Sequence, residues 1–548
     1  MITKVLVALG GTLGAFGLYE LLKLVYKEFN SPIKHLPGPK PTHWFYGNMR
    51  DIFRAEASVL HEQWVQEYGP TIKYKGLFGM SRLYTVDVKA LNHFLTNSHI
   101  YQKPKQSRFA LEMVVGPGVL VQEQDEHRRQ RKIMNPAFGP PQVRELTSIF
   151  VNKSLELRDV WAKQANADPV KLDVIPWLNK VTLDIIGLAG FNYDFNSVAS
   201  DEETELAAAF KTMFAAATRI RLVGILQAVH PIFRHLTDET GRAMKRAQAT
   251  MNKIGEKLLQ DAKKEIADSG TYEKGTQSRD LFSLLVRANT AKDIPANQRL
   301  DDLDVLAQVP TFLVAGHETT STATTWALFA LTQSPATQTR LREELLSVST
   351  DNPTMDELNA LPYLECVVRE TLRVHCPVAA TGNGLLPVVL QDAHSNYAVR
   401  EAVQDDVVPL AVPFTDVNGA VHDTLQVKKG QTILIPILAL NRDKAIWGED
   451  ATEFIAERWE SGNISNSIPG VWGHMMTFLG GPRACIGYRF SLVEMKALLF
   501  TLVRAFEFEL AVPIEDIGKK STIVQRPILK SDPKAKHQLP LIVKPHVR

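Results

Sequence analysis

The sequence predicts a mainly α-helical protein with small β-sheets. Long segments carry apolar residues at helical spacing, whereas the alternation typical of strands occurs only in short, scattered runs. No linker rich in Gly, Ser or Pro divides the middle of the 548-residue chain, and 45% of its residues are hydrophobic. We therefore expect one large domain with a substantial core, residues 42–548, behind an N-terminal segment.

Charge and cysteine content exclude two classes of protein. The 62 basic and 60 acidic residues nearly cancel, leaving a net charge of +2. A nucleic-acid-binding protein normally carries a basic stripe, so we expect no nucleic-acid partner. Three cysteines cannot build the disulfide framework of a small secreted protein, which indicates a reducing compartment for the main body.

An apolar segment at the N-terminus predicts a membrane anchor over residues 1–27. Its uncharged part, Val5 to Tyr19, has 15 residues, and a spanning helix needs about 20. That length is reached if Glu20 and Lys23 lie at the far interface and extend towards water. The lysines that follow place the main body on the cytoplasmic side. The alternative, a signal peptide cleaved near residues 15–17, stays open.

Long helices and short strands are then expected in order along the main body. A Pro/Gly cluster first makes a semi-rigid linker over residues 28–41. Apolar periodicity predicts helices over residues 58–67, 143–164, 204–226, 240–267 and 303–331. Strands are predicted over residues 71–74, 83–86, 432–436 and 539–544. In the last helix, Pro310 predicts a kink nearby, and the stretch TQSP at residues 332–335 is the stop signal.

Cys485 stands in the stretch FLGGPRACIG, directly before a run with helical spacing. A lone cysteine is most often a small buried hydrophobe. Here, however, a helix N-terminus favours an anion such as a thiolate. Glycines on both sides of Cys485 leave room for a flat, bulky partner, and Arg483 can pair with a carboxylate. These features together suit haem, which has an iron to ligate and two propionates to neutralise.

The stretch AGHETTS, residues 315–321, places polar side chains inside the longest apolar helix. A solvated face or a kink is the simpler explanation. A buried carboxylate and hydroxyl are costly, however, unless they are paired or wet. Ala315 and Gly316 remove bulk, so that a small molecule can lie against the backbone. Glu318 and Thr319 can then supply protons beside it.

Three further motifs are weak when taken singly. In ETLR, Glu370 and Arg373 share a helix face and would ordinarily be a surface ion pair. FIAERW, residues 454–459, carries no meaning alone. In HRRQR, His127 and Arg131 lie four apart on one face, which is typical of a solvated basic surface.

In this order along the chain, HRRQR, AGHETT, ETLR, FIAERW and F-x-x-G-x-R-x-C-x-G resemble the cytochrome P450 family. The cysteine motif is the specific one. The resemblance runs from the Pro-Gly-Pro segment at residues 37–39 to the C-terminus, and HRRQRKIMNPAF is similar to the microsomal, fungal-type branch. The fold it implies is the cytochrome P450 fold behind an N-terminal anchor helix.

The resemblance implies a role for each site residue. Cys485 would be the thiolate ligand of the iron of haem b. The other residues implied to bind the cofactor are Phe478, Gly481, Arg483, Gly487, His127, Arg131, Arg400, Ala315 and Gly316. Glu318 and Thr319 would be an acid–alcohol pair that delivers protons. Glu370 and Arg373 would form a buried structural ion pair joined by Arg458.

The chain departs from the family pattern at three places. The family usually has Trp at His127 and Pro at Ala456. Removing residues 382–398 joins VHCPVAAT to VREAVQDDVVPL, which fits the pattern and makes Arg400 the propionate-binding Arg. Those 17 residues correspond to 51 nucleotides whose ends can encode a splice donor and acceptor. We hypothesise that these residues are a retained intron. The alternative is a real surface loop, which would displace Arg400 and weaken haem binding.

The implied reaction is monooxygenation of a lipophilic small molecule in the endoplasmic reticulum membrane. No flavin domain fits in the chain, so electrons would come from an NADPH-cytochrome reductase, with cytochrome b5 as a second donor. The docking face would include Arg128, Lys132 and Arg489, for which ordinary solvated charge is an equal alternative. The pocket is expected to use Phe109, Leu111, Val114, Val115 and residues 222–233.

Two other functions remain open at this stage. One is a haem-thiolate isomerase or dehydratase that rearranges a peroxide and needs no reductase; Thr319 argues against it. The other is a haem protein made inactive by residues 382–398.

Overall fold

The computed structural model describes residues 2–166, 168–200, 202, 204–217, 223–224, 227, 233, 235–268, 280–290, 295, 299–379, 399–462, 467–521, 524–532 and 537–546. Helices dominate and the sheets are small, so the predicted fold class is confirmed. The 382–398 stretch and most of the 222–233 run lie outside the described residues.

The first half of the helical set runs from the N-terminus to the middle of the chain. It consists of α1 (Ile2–Phe29), α2 (Met49–Arg54), α3 (Val59–Tyr68), α4 (Val88–Thr96), α5 (Lys105–Val115), α6 (Gln124–Met134), α7 (Pro140–Ala165), α8 (Val174–Phe191), α9 (Glu205–Ala217) and α10 (Glu239–Asp268). The helices predicted over residues 58–67, 143–164 and 240–267 correspond to α3, α7 and α10, because each buries its apolar stripe.

The second half surrounds the candidate site. It consists of α11 (Leu281–Thr290), α12 (Asp302–Leu306), α13 (Gln308–Gln333), α14 (Pro335–Leu346), α15 (Met355–Asn359), α16 (Pro362–Val374), α17 (Ile437–Asn441), α18 (Lys444–Trp447) and α19 (Tyr488–Ala505). The single helix expected over residues 303–331 is divided at Ala307 into α12 and α13. Pro310 therefore lies in the first turn of α13, where its missing N–H needs no partner.

Short strands form four sheets. They are β1 (Thr71–Lys75), β2 (Ser81–Thr85), β3 (Tyr101–Gln102), β4 (Val170–Asp173), β5 (Val399–Ala402), β6 (Asp406–Thr415), β7 (Val421–Val427), β8 (Thr432–Leu434), β9 (Phe506–Leu510), β10 (Ile517–Ser521), β11 (Gln525–Leu529) and β12 (Pro540–Pro545). The sheet orders are β1-β2-β8-β5-β3, β4-β12-β9, β6-β7 and β10-β11. The four predicted strands correspond to β1, β2, β8 and β12.

The β6–β7 hairpin was not expected from the sequence. β6 contains Pro409 and Pro413, and proline normally argues against a strand because it cannot donate to the ladder. The hairpin tolerates both because each strand has only one partner and the register shifts between Pro409 and Phe414.

Helix α13 is the centre of the main body. It packs against α8 on one side and α19 on another, and Trp326 on α13 is fully buried. Helix α8 is long and apolar enough to cross a membrane by length and composition. Two thirds of α8 is buried inside the protein, which is typical of a core helix.

Candidate functional site

A cavity of about 280 Å³ lies between α6, α13, β5 and the loop before α19. Its lining is mostly apolar. Of the predicted site residues, those that line it are His127, Arg131, Ala315, Gly316, Glu318, Thr319, Arg400, Phe478, Arg483, Cys485 and Gly487. Residues that are far apart in the sequence meet at this cavity. For example, Arg131 donates to the carbonyl of Ala484, more than 350 positions later.

The Cys485 sulfur lies in a loop closed by its own backbone. The Cys485 N–H donates to the Phe478 carbonyl at 2.8 Å. The Gly487 N–H donates to the sulfur, and α19 begins one residue later. Cys485 lies deep in the protein yet is solvent-accessible, because it faces the cavity. Burial raises the pKa of its thiol, while the Gly487 N–H and the Arg131 charge act in the opposite direction.

The loop glycines serve two different purposes. Gly481 has φ +68°, and a Cβ there would lie 2.5 Å from the Leu95 carbonyl oxygen, so the loop itself requires glycine. Gly481 is not among the cavity-lining residues. A Cβ on Gly487 would meet nothing closer than Phe138 at 3.8 Å. Gly487 therefore leaves free space on the cavity side.

Several basic side chains converge on one end of the cavity. Arg400 on β5 is 3% exposed, and Arg131 donates to the Ala484 carbonyl at 2.8 Å. Arg483 donates to the Gln122 carbonyl at 2.6 Å. Lys103, which sequence reasoning missed, is buried beside them. The result is a cluster of cationic groups in a poorly solvated place.

One buried carboxylate, Glu123, faces this basic cluster. It forms an ion pair with Arg483 and lies 3.7 Å from Lys103 Nζ. Burial and the charge of Arg483 lower the pKa of Lys103 to about 7. Burial and the same Arg lower the pKa of His127 to about 2, so His127 is neutral at pH 7. The positive charge at this end exceeds what Glu123 can neutralise.

On α13, the AGHETTS residues face two directions. Ala315 is exposed towards the cavity, and the Thr319 hydroxyl donates to the Ala315 carbonyl at 2.7 Å. A Cβ on Gly316 would lie 2.8 Å from Cδ1 of Ile186. The space left by this glycine is therefore occupied by Ile186 of α8.

Glu318 has a partner that the sequence did not indicate. It is 6% exposed and forms an ion pair with Arg526 of β11, which is 8% exposed. Burial lowers the pKa of Arg526 to about 10, so Arg526 remains charged at neutral pH. The neighbouring His317 lies 3.8 Å from Glu318, and burial lowers the pKa of His317 to about 3.

Glu370 and Arg373 form a fully buried ion pair. Both side chains are 0% exposed, and Arg373 donates to the two Glu370 carboxylate oxygens at 2.8 and 2.7 Å. Arg458 lies 3.4 Å from Glu370, and Trp459 Nε1 donates to it at 2.9 Å. Ala456, where the family usually has Pro, is buried in the 3-10 turn that carries Arg458.

Some predicted residues are not at the cavity. Phe109, Leu111, Val114 and Val115 are not among its lining residues. The residues named for reductase docking are exposed on the surface; they are Arg128, Lys132 and Arg489.

Glu494 is a further residue that sequence reasoning missed. It is fully buried on α19, and burial raises the pKa of its carboxyl well above the usual range, although the neighbouring Thr320 of α13 acts in the opposite direction. The available signal was its position on the apolar face of α19, three residues after Ser491. An apolar helix face does not by itself predict a buried acid.

The similarity to known proteins extends over most of the chain. The family described as "Cytochrome P450" matches residues 37–389 and 405–532. The chain is 52% identical over 551 residues to "Cytochrome P450 monooxygenase 205" of Postia placenta (strain ATCC 44394 / Madison 698-R), covering 99% of this chain and 98% of that protein. It is 50% identical over 552 residues to "Cytochrome P450 monooxygenase 128" of the same strain, with the same coverage.

A more distant relative comes from another fungus. The chain is 34% identical over 515 residues to "Cytochrome P450 monooxygenase claQ" of Ampulloclitocybe clavipes, covering 91% of each protein. These matches extend over the loop of Cys485, helix α13 and the buried pair on α16. The chain therefore belongs to the cytochrome P450 family of haem-binding oxidoreductases.

Proposed function

We propose that the protein is a haem-thiolate monooxygenase that inserts one oxygen atom from O2 into a lipophilic small molecule. The observation that carries this proposal is the placement of Cys485, which faces an apolar cavity opposite the hydroxyl-bearing helix α13. A thiolate ligand on one side and proton-donating groups on the other are what this chemistry needs.

The residues around the cavity fit haem b. The basic cluster exceeds its single carboxylate, Glu123, so it suits a group with two propionates. Gly487 leaves space that a Cβ would fill beside Cys485. We propose Cys485 as the iron ligand, Arg131, Arg400 and Arg483 as propionate partners, and His127 as a neutral neighbour. Phe478 packs against Trp472 and Tyr488 and supports the ligand loop.

Haem, when bound, supplies the activation of O2, with two electrons arriving from outside the chain. The Thr319 hydroxyl, held by its bond to the Ala315 carbonyl, can pass a proton into the cavity. Glu318, one residue earlier, can replace that proton. Ala315 faces the cavity with only a methyl group and would leave room there for haem and a small molecule.

An apolar lining supports a lipophilic substrate. Phe312, Val314, Leu281, Ile437 and Val524 contribute apolar surface, and these side chains come from four separate parts of the chain. Apolar walls bind a substrate mainly through its hydrophobic surface, whereas few polar groups fix its orientation.

The membrane anchor and the redox partner are also proposals. Helix α1 has 28 residues, which is long enough to cross a hydrocarbon core of about 30 Å. Its Leu18, Leu22 and Val25 are each more than half exposed, which suits contact with lipid. We propose residues 1–27 as an anchor in the endoplasmic reticulum membrane and 28–41 as the linker to a cytoplasmic domain. An NADPH-cytochrome reductase is the proposed electron donor, with cytochrome b5 as a second.

The alternative of an inactive haem protein is less well supported. Arg400 is buried in β5, which pairs with both β3 and β8, and it lines the cavity although residues 382–398 precede it. The family match pauses between residues 389 and 405, so this region does depart from the family pattern. We retain the proposal that residues 382–398 are an unspliced intron. Transcript reads that keep the 51 nucleotides would contradict it.

The test of the proposed function uses the full-length protein in membranes. A reduced-CO difference spectrum should show a thiolate-ligated haem. NADPH with a reductase should then support turnover of compounds found by spectral shifts among terpenoids, fatty acids and aromatics. A thiolate spectrum with peroxide rearrangement but no NADPH-dependent turnover would favour the isomerase or dehydratase instead. No haem spectrum at all would favour the inactive protein.

Replacing Thr319 by Ala should slow catalysis without loss of haem. The variant removes a hydroxyl that lines the cavity while the helix keeps its backbone, so the rate of product formation should fall about 100-fold, the lower range for general acid catalysis. The measurement is the rate of product formation per haem, with the product formed per NADPH consumed.

The matched control for this change is Thr311→Ala. Thr311 lies on the same helix, also lines the cavity and also donates to the carbonyl four residues earlier, at 3.2 Å. It should retain most activity. Equal losses in both variants would contradict a specific role for Thr319.

A further inference from the structure

The ion pair between Glu318 and Arg526 joins two distant elements at the edge of the cavity. Glu318 lies in the middle of α13, whereas Arg526 is the second residue of β11. Both side chains are at least 90% buried. A buried carboxylate without its cation would be strongly destabilised, so Arg526 controls where the Glu318 side chain can lie.

Other contacts hold Arg526 in place. Its Nε lies 3.4 Å from the Thr322 hydroxyl, one helical turn after Glu318. The Trp326 Nε1–H donates to the Gln525 carbonyl at 2.7 Å, so a second hydrogen bond connects β11 to α13. The Gln525 N–H donates to the Pro377 carbonyl at 2.8 Å. The start of β11 is therefore fixed to α13 and to the segment after α16.

This start of β11 also borders the cavity. Val524, two residues before Arg526, is one of the lining residues, as are Pro377 and Val378. A molecule that pushes on Val524 thus acts on the same short segment that holds Glu318. Arg526 is not among the lining residues, so a substrate in the cavity meets Val524 first.

The charged surroundings of Glu318 leave Arg526 as its main cation among the described residues. His317, on its own helix, is uncharged at neutral pH because burial lowers its pKa to about 3. The Ser321 hydroxyl donates to Asn179 of α8, and the acid Glu494 of α19 lies beside Thr320. Beyond Arg526 lie His537 and Lys520. Neither the uncharged His317 nor the acid Glu494 can replace the charge of Arg526.

We propose that Arg526 is a positioning residue for Glu318: it holds the carboxylate in its charged form and links the proton supply of α13 to the substrate-facing start of β11. The inference rests on the proposed function, because Glu318 matters here as a proton source.

The first experiment measures the pair itself, without activity. Thermal unfolding of full-length R526M and of E318Q/R526M is compared from about pH 5 to about pH 8. In R526M, the buried Glu318 has lost its cation and ionises less readily in the folded than in the unfolded protein. R526M should therefore match the double variant at the acidic end and fall several degrees below it as the pH rises.

Other outcomes of this experiment are also informative. If R526M fails to fold while E318Q/R526M folds, the result also supports the pairing, because the unpaired Glu318 carboxylate then destabilises the fold completely. A difference between the two variants that does not change with pH would overturn the pairing. R526K, which keeps the charge, should stay close to the wild type at every pH.

The second experiment tests positioning with O2, NADPH and the reductase, in the absence of substrate. Reduction of O2 to hydrogen peroxide consumes one NADPH and one proton, whereas reduction of O2 to two molecules of water consumes two NADPH and two protons. Loss of directed proton supply should raise the peroxide formed per NADPH several-fold in R526M and E318Q, and little in R526K. Unchanged peroxide in R526M, with a rise in E318Q, would overturn the inference and leave the proposed function standing.

The two proposals can fail separately. A wild-type protein without a thiolate haem spectrum would refute the proposed function, and with it the positioning role, whereas the unfolding experiment would still show whether Glu318 and Arg526 are paired.

Discussion

Cys485→Ala should eliminate the thiolate haem spectrum and reduce NADPH-dependent turnover to background. Cys485 is the one cysteine of the three that lines the cavity, since Cys366 and Cys376 are buried elsewhere. No other thiol can reach the site. Alanine removes the only anionic ligand that the loop offers, and a thiolate is needed to favour O–O cleavage.

The same substitution should leave the fold intact. The Cys485 backbone N–H, which closes the loop on Phe478, is unchanged, and the side chain faces the cavity rather than packed neighbours. The free energy of unfolding of the haem-free protein should change by less than about 0.5 kcal/mol. Reduced-CO spectra and thermal unfolding of the same sample separate the loss of the ligand from the loss of the fold.

Cys366→Ala is the matched control. Cys366 is buried on α16, away from the cavity, so its truncation should cost on the order of 1 kcal/mol and leave the spectrum unchanged. A normal thiolate spectrum in Cys485→Ala, or its loss in Cys366→Ala, would contradict the assignment of the ligand.

Glu370→Gln should have the largest effect on stability. The change keeps the shape of the side chain but leaves Arg373, fully buried, without its counter-charge. Breaking such a pair costs about 3–5 kcal/mol. Because a protein is commonly stable by about 5–15 kcal/mol, we expect little folded haem protein to accumulate. Urea unfolding by fluorescence and the yield of the CO complex measure the two effects.

An exposed pair of the same chemistry provides the control for Glu370→Gln. Glu460 bonds to Arg340 on the surface, where the two side chains are 41% and 49% exposed. Glu460→Gln should cost no more than about 1 kcal/mol, because water already solvates both charges. Comparable losses from Glu370→Gln and Glu460→Gln would contradict a special role for the buried pair.

Several helices and the ligand loop could be predicted because their signals are local. The apolar spacing in α7 and α10 follows from the helical period alone, and the pattern around Cys485 combines residue types within ten positions. Pro335 was recognised as a stop, and it begins α14. Pro310 was expected to disturb the helix, and the helix divides at Ala307, three residues earlier, because proline lacks an N–H and its ring crowds the preceding turn.

The partners of charged residues could not be predicted in the same way. Glu123 and Arg483 are 360 positions apart, and Thr322 and Arg526 are 204 apart. A chain with 62 basic and 60 acidic residues offers far too many possible pairs for spacing to select one. Similarly, Gly316 was interpreted as space for a ligand, but packing against Ile186 also explains this glycine.

The sequence by itself determined the mainly helical class, the cysteine loop and the motifs that identify the family, because each depends on residues close together in the chain. Only the tertiary structure decided that Lys103 and Glu123 share the basic end of the cavity, and that Glu318 is held by Arg526. These contacts arise where helices and strands from different parts of the chain pack. Burial there removes water, so that each charge depends on the partner the fold provides.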